Sequence, residues 1–172
     1  TTAGSSREKY GKTMEKKEKV LAAADPGCGR VPVNKIIPFS AVDGPGNRTA
    51  VFLQGCNFDC RYCHNPETRN LCRNCGSCVG KCPKGALFTD EDGKVRFCPE
   101  KCCGCDTCIH VCPFGCSPRI RMMCAEEVFA EVKKQQPYIR GITVSGGECT
   151  LYPDFLEKLF VLARGAGLGT LI

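Results

Sequence analysis

Three cysteines in a short loop are the residues of this chain best suited to redox chemistry. Cys56, Cys60 and Cys63 are spaced C-x3-C-x2-C. They follow an apolar run at residues 50–53, which has the length and residue types of a buried strand. A [4Fe–4S] cluster normally takes four thiolates, one for each iron. If only these three cysteines bind such a cluster, one iron keeps an open position at which a reactant can bind and be reduced.

Two other chemistries use cysteines in related patterns. Cys60, Cys63 and His64 form a C-x-x-C-H string, which in an exported protein is typical of c-type haem attachment. Nothing in the sequence indicates export, and Cys56 would then have no role. A structural zinc site is the second alternative, but the three cysteines have no obvious fourth ligand at the usual paired spacing. Both alternatives are less favoured than a cluster.

Eight further cysteines form two copies of the pattern C-x2-C-x2-C-x3-C-P, thirty positions apart. The pattern resembles that of bacterial ferredoxins that hold two [4Fe–4S] clusters, and zinc would rarely need four cysteines packed so tightly. In such ferredoxins the fourth cysteine of each run binds the other cluster. The resemblance therefore implies one cluster at Cys72, Cys75, Cys78 and Cys112, and another at Cys82, Cys102, Cys105 and Cys108.

The first cysteine loop resembles that of radical S-adenosylmethionine (SAM) enzymes. The wider run narrows the resemblance to the glycyl radical enzyme activating enzymes, and the order of the motifs most resembles the YjjW-type group. The signature of the activating enzymes continues on both sides of the loop, and every fixed position of it is occupied. These positions are Gly44, Gly46, Arg48, Phe52, Gly55, Cys56, Cys60, Cys63 and Asn65.

A second segment strengthens the resemblance. Gly146, Gly147 and Glu148 directly follow a predicted strand at residues 139–144. Glycines let the backbone approach a ligand closely, and a carboxylate can accept a hydrogen bond from an ammonium group. In radical SAM enzymes the corresponding segment holds the methionyl amino group of SAM. The commonest form continues with proline, whereas this chain has Cys149, and we expect no loss of SAM binding from that difference.

The resemblance implies an activity, its cofactors and its partners. Three [4Fe–4S] clusters and SAM are expected as cofactors, and the cluster at the open iron would cleave SAM reductively to a 5′-deoxyadenosyl radical. That radical would take a hydrogen atom from a glycine of a partner glycyl radical enzyme. A flavodoxin or ferredoxin is the expected low-potential reductant. No side chain is expected to act as an acid or base, and Asp43 and His64 are interpreted first as turn and loop residues.

Three alternatives to this function remain open. A radical SAM enzyme acting on another peptide or on a small molecule would share the cysteine loop and Glu148, although the glycine signature before Cys56 argues against it. A ferredoxin-like electron carrier would need no three-cysteine loop. A fragment that binds clusters without catalysis is the third alternative.

The elements that position these motifs are predicted to form an α/β fold. Predicted helices at residues 125–136 and 153–164 separate the strands at 50–53, 139–144 and 168–172, an order typical of a parallel sheet with ligands at the carboxyl ends of its strands. Three such strands are too few for the partial (β/α) barrel of radical SAM proteins, so the resemblance implies a truncated barrel whose remainder would follow Ile172. The expected divisions are a disordered or short-helical tail (1–30), a radical SAM core (31–65 and 119–172) and an inserted ferredoxin-like two-cluster α+β module (66–118).

Smaller expectations accompany this organisation. The proline-interrupted run at residues 31–39 indicates an edge strand or an approach to an edge, and residues 86–97 indicate a hairpin around an Asp-Gly turn. Six cysteines fall outside the predicted ligand sets, and for three of them, Cys98, Cys103 and Cys116, simple packing is the first interpretation. The other three, without an assigned role, are Cys28, Cys124 and Cys149.

Composition limits the class of protein and its compartment. Seventeen cysteines in 172 residues would mean disulfides in a secreted chain, but their metal-ligand spacing and the absence of a leader pattern favour an anaerobic cytoplasm. The formal charge of +6 counts every thiol as neutral. Eleven thiolates on three cluster cores would lower it to about +1. We therefore expect no nucleic-acid partner, and no apolar run long enough for a membrane span is present.

Overall fold

The computed structural model describes residues 29–172, so the tail predicted for residues 1–30 and Cys28 lie almost entirely outside the described residues. The strands are β1 (Val31–Ser40), β2 (Arg48–Leu53), β3 (Leu87–Thr89), β4 (Val95–Phe97), β5 (Arg121–Met123), β6 (Gly141–Gly146) and β7 (Gly169–Leu171). The α-helices are α1 (Thr107–His110), α2 (Ala125–Lys133) and α3 (Pro153–Gly165). Short 3-10 helices cover Pro66–Thr68, Val79–Lys81, Pro99–Lys101, Gln136–Tyr138 and Cys149–Leu151.

The main sheet has five strands in the order β5-β1-β2-β6-β7. Strands β2, β6 and β7 are parallel, with α2 before β6 and α3 between β6 and β7. The predicted parallel arrangement of strand, helix, strand, helix and strand is therefore confirmed. The register pairs Leu53 with Gly146, so the last residues of β2 and β6 lie side by side.

The first strand lies beside the edge of the main sheet. Strand β1 is antiparallel to β2 on one side and to β5 on the other. Residues 31–33 pair with β5, Val33 also pairs with Leu53 of β2, and the Pro32 carbonyl accepts from the Gln54 N–H at 2.8 Å, so Pro32 lies inside the sheet. The prediction of an edge strand or of an approach to one agrees with this position, because the three-residue β5 is the edge and β1 is the strand beside it. Pro38 lies in the later part, where β2 is the paired strand.

One face of the sheet and the two longer helices form the core. Alternate residues of β2 and β6 point to this face, as expected from the period of two residues in a strand. They are fully buried against side chains spaced three and four residues apart on the helices. Burying each of these aliphatic side chains is worth about 1.5–3 kcal/mol. The buried set includes Val51, Leu53, Val128, Val132, Ile142, Val144, Leu159 and Ala163.

Helix α2 is shorter than predicted. Its period continues to residue 136, but the helix ends at Lys133 and a 3-10 turn containing Pro137 follows. Proline disfavours helical backbone at the residue before it and cannot donate a backbone hydrogen bond. The strand that follows this turn starts at Gly141, two residues later than predicted.

The segment between β2 and β5 carries the two cysteine runs and has its own small sheet. Strands β3 and β4 pair antiparallel, which confirms the predicted hairpin. Its turn is closed by Asp90, whose backbone N–H donates to the Lys94 carbonyl at 2.9 Å and whose carboxylate accepts from the Lys94 N–H at 2.7 Å. Gly93 adopts φ of 74°, a conformation that glycine supplies without strain.

A buried arginine joins the amino ends of the three parallel strands. Arg48 is only 6% exposed, and its Nε donates to Thr143 Oγ1 at 2.8 Å. Its Nη2 donates to the carbonyls of Ile142 at 2.8 Å and Gly169 at 3.2 Å. A Cβ at Gly141 would lie 2.7 Å from this Nη2. Arg48, a residue of the sequence signature, thus ties the strands together at the end opposite the cysteine loop.

Candidate metal centres and SAM-binding segment

The three-cysteine loop begins immediately after β2 and is fixed at its base. The Gly55 N–H donates to the Thr68 carbonyl at 2.7 Å, and the Cys56 N–H donates to the Arg69 carbonyl at 3.0 Å. Cys56 is buried, while Cys60 is exposed and Cys63 is half-buried. The loop therefore starts inside the protein and carries its later cysteines out to the surface.

The Gly-Gly-Glu segment lies directly beside this loop. The Gly147 N–H donates to the Leu53 carbonyl at 2.9 Å, and the Glu148 N–H donates to the Gly55 carbonyl at 2.8 Å. A Cβ at Gly147 would lie 2.0 Å from the Gly55 oxygen, and one at Gly146 would lie 2.3 Å from the Leu53 oxygen. Both collisions are with backbone, so side chains at these positions would push the two segments apart.

Glu148 lies at the carboxyl end of β6 as a half-buried acceptor. Its carboxylate accepts from the Thr150 N–H at 3.0 Å and from the Thr150 hydroxyl, and so caps the 3-10 helix that follows. Neither bond uses the second carboxylate oxygen, Oε2. A carboxylate in this position fits a partner that carries an ammonium group.

Cys149, which stands where related sequences commonly have proline, belongs to the core. It is 4% exposed, and its Sγ donates to the Val144 carbonyl at 3.5 Å. Burial raises the pKa of this thiol to about 11. The thiol is thus neutral and packed beneath the segment, and the expectation that it does not impair SAM binding stays a prediction.

Gln54 is a site residue that sequence reasoning missed. Its side chain is completely buried and accepts from Asn34 Nδ2 at 2.7 Å. Its Nε2 donates to the carbonyls of Glu67 at 2.8 Å and Asn70 at 2.7 Å. The Tyr152 hydroxyl donates to its backbone carbonyl at 2.9 Å. Gln54 therefore ties both ends of the cysteine loop to β1, and the signal that could have found it is an amide in an otherwise apolar buried run.

The first cysteine run contributes to one small cavity. Its lining contains the four cysteines that the ferredoxin pattern assigns to a single cluster, including Cys112 from the other run. Four thiols around one cavity are the donor set of a [4Fe–4S] cluster. The four are Cys72, Cys75, Cys78 and Cys112.

A second small cavity has the reciprocal lining. It contains the other four cysteines of the pattern, and Cys82 of the first run joins three from the second. The tertiary structure thus groups the cysteines as the crossover predicts, while their binding of clusters stays a prediction. The four are Cys82, Cys102, Cys105 and Cys108.

The thiols of the first cavity differ in acidity. A hydrogen bond with Cys116 lowers the pKa of Cys72 to about 6, against the opposing effect of its burial. Burial raises the pKa of Cys78 to about 11. In the second cavity, burial likewise raises the pKa of Cys108, whereas hydrogen bonding to Thr107 lowers that of Cys105. Each cavity thus combines a buried ligand thiol of raised pKa with a hydrogen-bonded ligand thiol that ionises more easily.

The cysteines outside the predicted ligand sets have separate environments. Cys116 and Cys103 line the first and second cavities respectively, so they do more than pack at a distance. Cys98 donates to Glu100 at 3.1 Å, and Cys124 precedes the first residue of α2. No disulfide joins any cysteines of residues 29–172. In the same range no three histidine, cysteine or carboxylate side chains are grouped closely enough to chelate one metal ion.

Asp43 and His64 do not come together. Asp43 precedes β2 and accepts from the Ser40 hydroxyl at 2.6 Å, whereas His64 is exposed beyond the other end of that strand. Six strand residues separate the two ends by about 20 Å. Their interpretation as turn and loop residues is consistent with this placement.

Within residues 29–172 no helix has the length and apolar character that a membrane span requires.

Comparisons with known proteins address the identity of this site. The family model for the 4Fe-4S single cluster domain matches residues 42–94, a range that includes the three-cysteine loop and the first cysteine run. The isethionate sulfite-lyase activating enzyme of Desulfovibrio desulfuricans is 33% identical over 159 residues, covering 81% of this chain and 51% of that protein. The indoleacetate decarboxylase activating enzyme of Tractidigestivibacter scatoligenes is 36% identical over 146 residues, covering 70% of this chain and 46% of that protein.

A third relative carries the family name itself. The Haemophilus influenzae protein named provisionally as a glycyl-radical enzyme activating enzyme is 33% identical over 138 residues, covering 80% of this chain and 36% of that protein. The chain belongs to the glycyl radical enzyme activating enzymes. It spans about half the length, or less, of the curated relatives that it matches. Within this family, the cysteine loop and the Gly-Gly-Glu segment are its candidate iron-sulfur and SAM sites.

Proposed function

We propose that this chain carries the SAM-cleaving site of a glycyl radical enzyme activating enzyme. The observation that carries the proposal is the direct backbone bonding of the Gly-Gly-Glu segment to the residue before Cys56, with Glu148 N–H to Gly55 oxygen at 2.8 Å. This bonding brings a carboxylate acceptor to a loop with three thiol donors. A three-thiolate cluster with one open iron needs both parts, because SAM has to bind the iron and be oriented by the protein at once.

The proposed roles of the chain's residues follow from their chemistry. Cys56, Cys60 and Cys63 bind three irons of one cluster. Glu148 accepts from the ammonium group of SAM, and the side-chain-free backbone of residues 146–147 leaves room for its methionyl part. When bound, the cluster and SAM together supply one-electron cleavage of the sulfonium and a 5′-deoxyadenosyl radical. No residue of the chain has to transfer a proton.

The protein substrate in this proposal is a glycyl radical enzyme. The names of the relatives support such a partner, since each is an activating enzyme of another enzyme. A hydrogen atom leaves the α-carbon of one glycine of that partner and ends on 5′-deoxyadenosine, so the unpaired electron stays on the glycine. The two further clusters bring in the electron, which a flavodoxin or ferredoxin supplies. Potentials of such clusters reach about −700 mV, within the range this reduction needs.

The proposed architecture assigns the described elements to two parts. Residues 31–65 and 119–172 form the first strands of a partial (β/α) barrel, and the parallel order of β2, β6 and β7 supports this part. Residues 66–118 form an inserted ferredoxin-like module with two clusters. The two reciprocal four-cysteine cavities support this assignment.

A single substitution tests the proposed reaction. The reconstituted protein reduced with dithionite is expected to convert SAM to 5′-deoxyadenosine and methionine, and Cys56→Ala to abolish the conversion because the open-iron cluster loses a ligand. Cys98→Ala is the matched control, since Cys98 lines neither cluster cavity. Chromatography of the products measures the outcome. Persistence of 5′-deoxyadenosine in the Cys56→Ala protein would refute the assignment.

Spectroscopy distinguishes this function from electron carriage alone. Binding of SAM to an open iron is expected to change the electron paramagnetic resonance spectrum of one cluster. A pure electron carrier would give the same spectrum with and without SAM.

A further inference from the structure

The first cluster cavity contains one thiol more than a cubane can bind. Cys116 lines this cavity together with the four predicted ligands, and its Sγ lies 3.4 Å from the Sγ of Cys112. Cys72, another predicted ligand, lines the same cavity. A [4Fe–4S] cluster has four irons, and the four cysteines at ferredoxin spacing occupy all of them. The fifth thiol therefore lies against a ligand sulfur, that of Cys112, without an iron of its own.

The backbone holds Cys116 in this position. The side chain is only 1% exposed, and the next residue, Ser117, donates its N–H to the Glu67 carbonyl at 2.9 Å. Two residues before Cys116, the Phe114 carbonyl accepts from Asn70 Nδ2 at 2.9 Å. These bonds fix the Cys116 segment to the chain that leads from the three-cysteine loop to Cys72. The thiol therefore stays beside the ligand sulfurs unless these contacts break.

The second cavity provides an internal comparison. Cys103 is its fifth thiol and interacts with the Cys105 sulfur, but Cys103 is exposed to solvent. Water competes with an exposed hydrogen bond, whereas a buried one acts in a medium of low dielectric constant and is electrostatically stronger. The two cavities thus have the same number of thiols but only one buried extra donor.

We propose that the Cys116 thiol donates a hydrogen bond to the ligand sulfur of Cys112 and thereby raises the reduction potential of that cluster above that of the other. Hydrogen bonds to the sulfurs are among the factors that set the potential of a cluster. Reduction adds negative charge to these sulfurs, so a donor stabilises the reduced form more than the oxidised form. The inference rests on the proposed binding of clusters at the two four-cysteine cavities.

The difference in reduction potential would set the direction of electron transfer between the two clusters. The cluster near Cys116 would be the easier of the two to reduce. An electron that enters at the second cavity would therefore move to the first, whose Cys72 follows the three-cysteine loop along the chain by nine residues. Cys116 binds no iron in this proposal and affects electron transfer only through the reduction potential of the cluster beside it.

Redox titration of matched variants tests the proposal. The midpoint potential of each cluster is followed by electron paramagnetic resonance, and the signal of the first cavity is identified as the one that Cys75→Ala removes. Cys116→Ala is expected to keep the iron and sulfide content of the parent and to shift this midpoint to a more negative value. Cys116→Ser retains a donor and is expected to leave the midpoint at or above that of the parent. Cys103→Ala, in the second cavity, is expected to leave the first-cavity signal unchanged.

Three results would overturn the inference in distinguishable ways. An unchanged midpoint in Cys116→Ala means that the thiol does not tune the cluster. Loss of about four irons in both Cys116→Ala and Cys116→Ser means that Cys116 is a ligand, with Cys112 as the candidate it replaces. Absence of a Cys75-dependent signal in the parent protein removes the cluster itself, and with it the proposed electron relay.

Discussion

At the scale of single residues, Gly147 is the position in the candidate SAM site where an added side chain would come closest to neighbouring backbone atoms. An added Cβ would lie 2.0 Å from the Gly55 oxygen and 2.6 Å from its carbonyl carbon. Real Cβ atoms do not approach backbone this closely, so the Gly-Gly-Glu segment would have to move away from the cysteine loop. The bond between Glu148 N–H and Gly55 oxygen, which brings the carboxylate to the loop, would break first.

We therefore expect Gly147→Ala to weaken SAM binding at least tenfold, a change of about 1.4 kcal/mol, while cluster content is retained. Calorimetric titration of the reconstituted protein with SAM measures the affinity. Gly165→Ala is the matched control, because a Cβ there meets nothing within 4 Å and alanine favours helix α3 by about 0.5–1 kcal/mol. Equal SAM affinity in the Gly147→Ala protein and the parent would contradict the assignment of this segment.

At the scale of elements, the start of α2 is tied to β1 through one carboxylate. Glu127 accepts from the Cys124 N–H at 2.9 Å and from Arg30 Nη2 at 2.7 Å, and Arg30 leads into β1. The backbone bond from Cys124 and the Arg30 guanidinium hold the pKa of Glu127 below its usual 4.5. A depressed carboxylate stabilises the fold above its unfolded pKa, and this contribution is lost as pH falls through the lower folded value.

The charge of Glu127 is therefore expected to matter at neutral pH and not in acid. Glu127→Gln should lower the free energy of unfolding at pH 7 by about 0.3–1 kcal/mol, since it removes an anion from a helix amino terminus. The difference from the parent should shrink as the pH falls below 4.5. Urea unfolding of both proteins across this pH range measures it, with the exposed Glu157→Gln in α3 as the control. A difference that grows in acid would contradict the sign of the pKa shift.

At the scale of the whole molecule, cysteines far apart in sequence are shared between two cavities. Cys112 joins three cysteines more than thirty residues earlier, and Cys82 joins three that follow it. The cysteines of the three-cysteine loop after β2 line neither cavity. Loss of one site therefore need not remove the others.

We expect the fully reconstituted chain to contain about twelve irons and as many sulfides. A variant with Cys56, Cys60 and Cys63 all replaced by alanine should retain about eight, and Cys75→Ala and Cys105→Ala should each lose about four. Colorimetric iron and sulfide analysis under anaerobic conditions gives these counts. Zinc in place of iron, or loss of all iron in the triple variant, would contradict three separate clusters.

Much of the parallel sheet and the hairpin was predictable because each depends on local patterns. The apolar run of β2, the period of α2 and α3 and the Asp-Gly turn between β3 and β4 are readable from residues close in sequence. The second partner of β1 could not be predicted, because β5 is about ninety residues away in the chain. No local pattern records such a pairing.

Sequence alone determined which residues can bind metal and which family the chain resembles, because ligand type and spacing are written directly in the order of residues. Only the tertiary structure decided where these residues meet. The side chain of Gln54 hydrogen-bonds several separate segments, and Cys116 lies in the first cavity as a fifth thiol. Both arrangements depend on residues that are far apart in the sequence. Arg48 was placed at the far end of the sheet from the cysteine loop by the direction of β2. Hydrogen bonds and close packing act over a few ångströms in space, whatever the separation along the chain, so their partners appear only once it has folded.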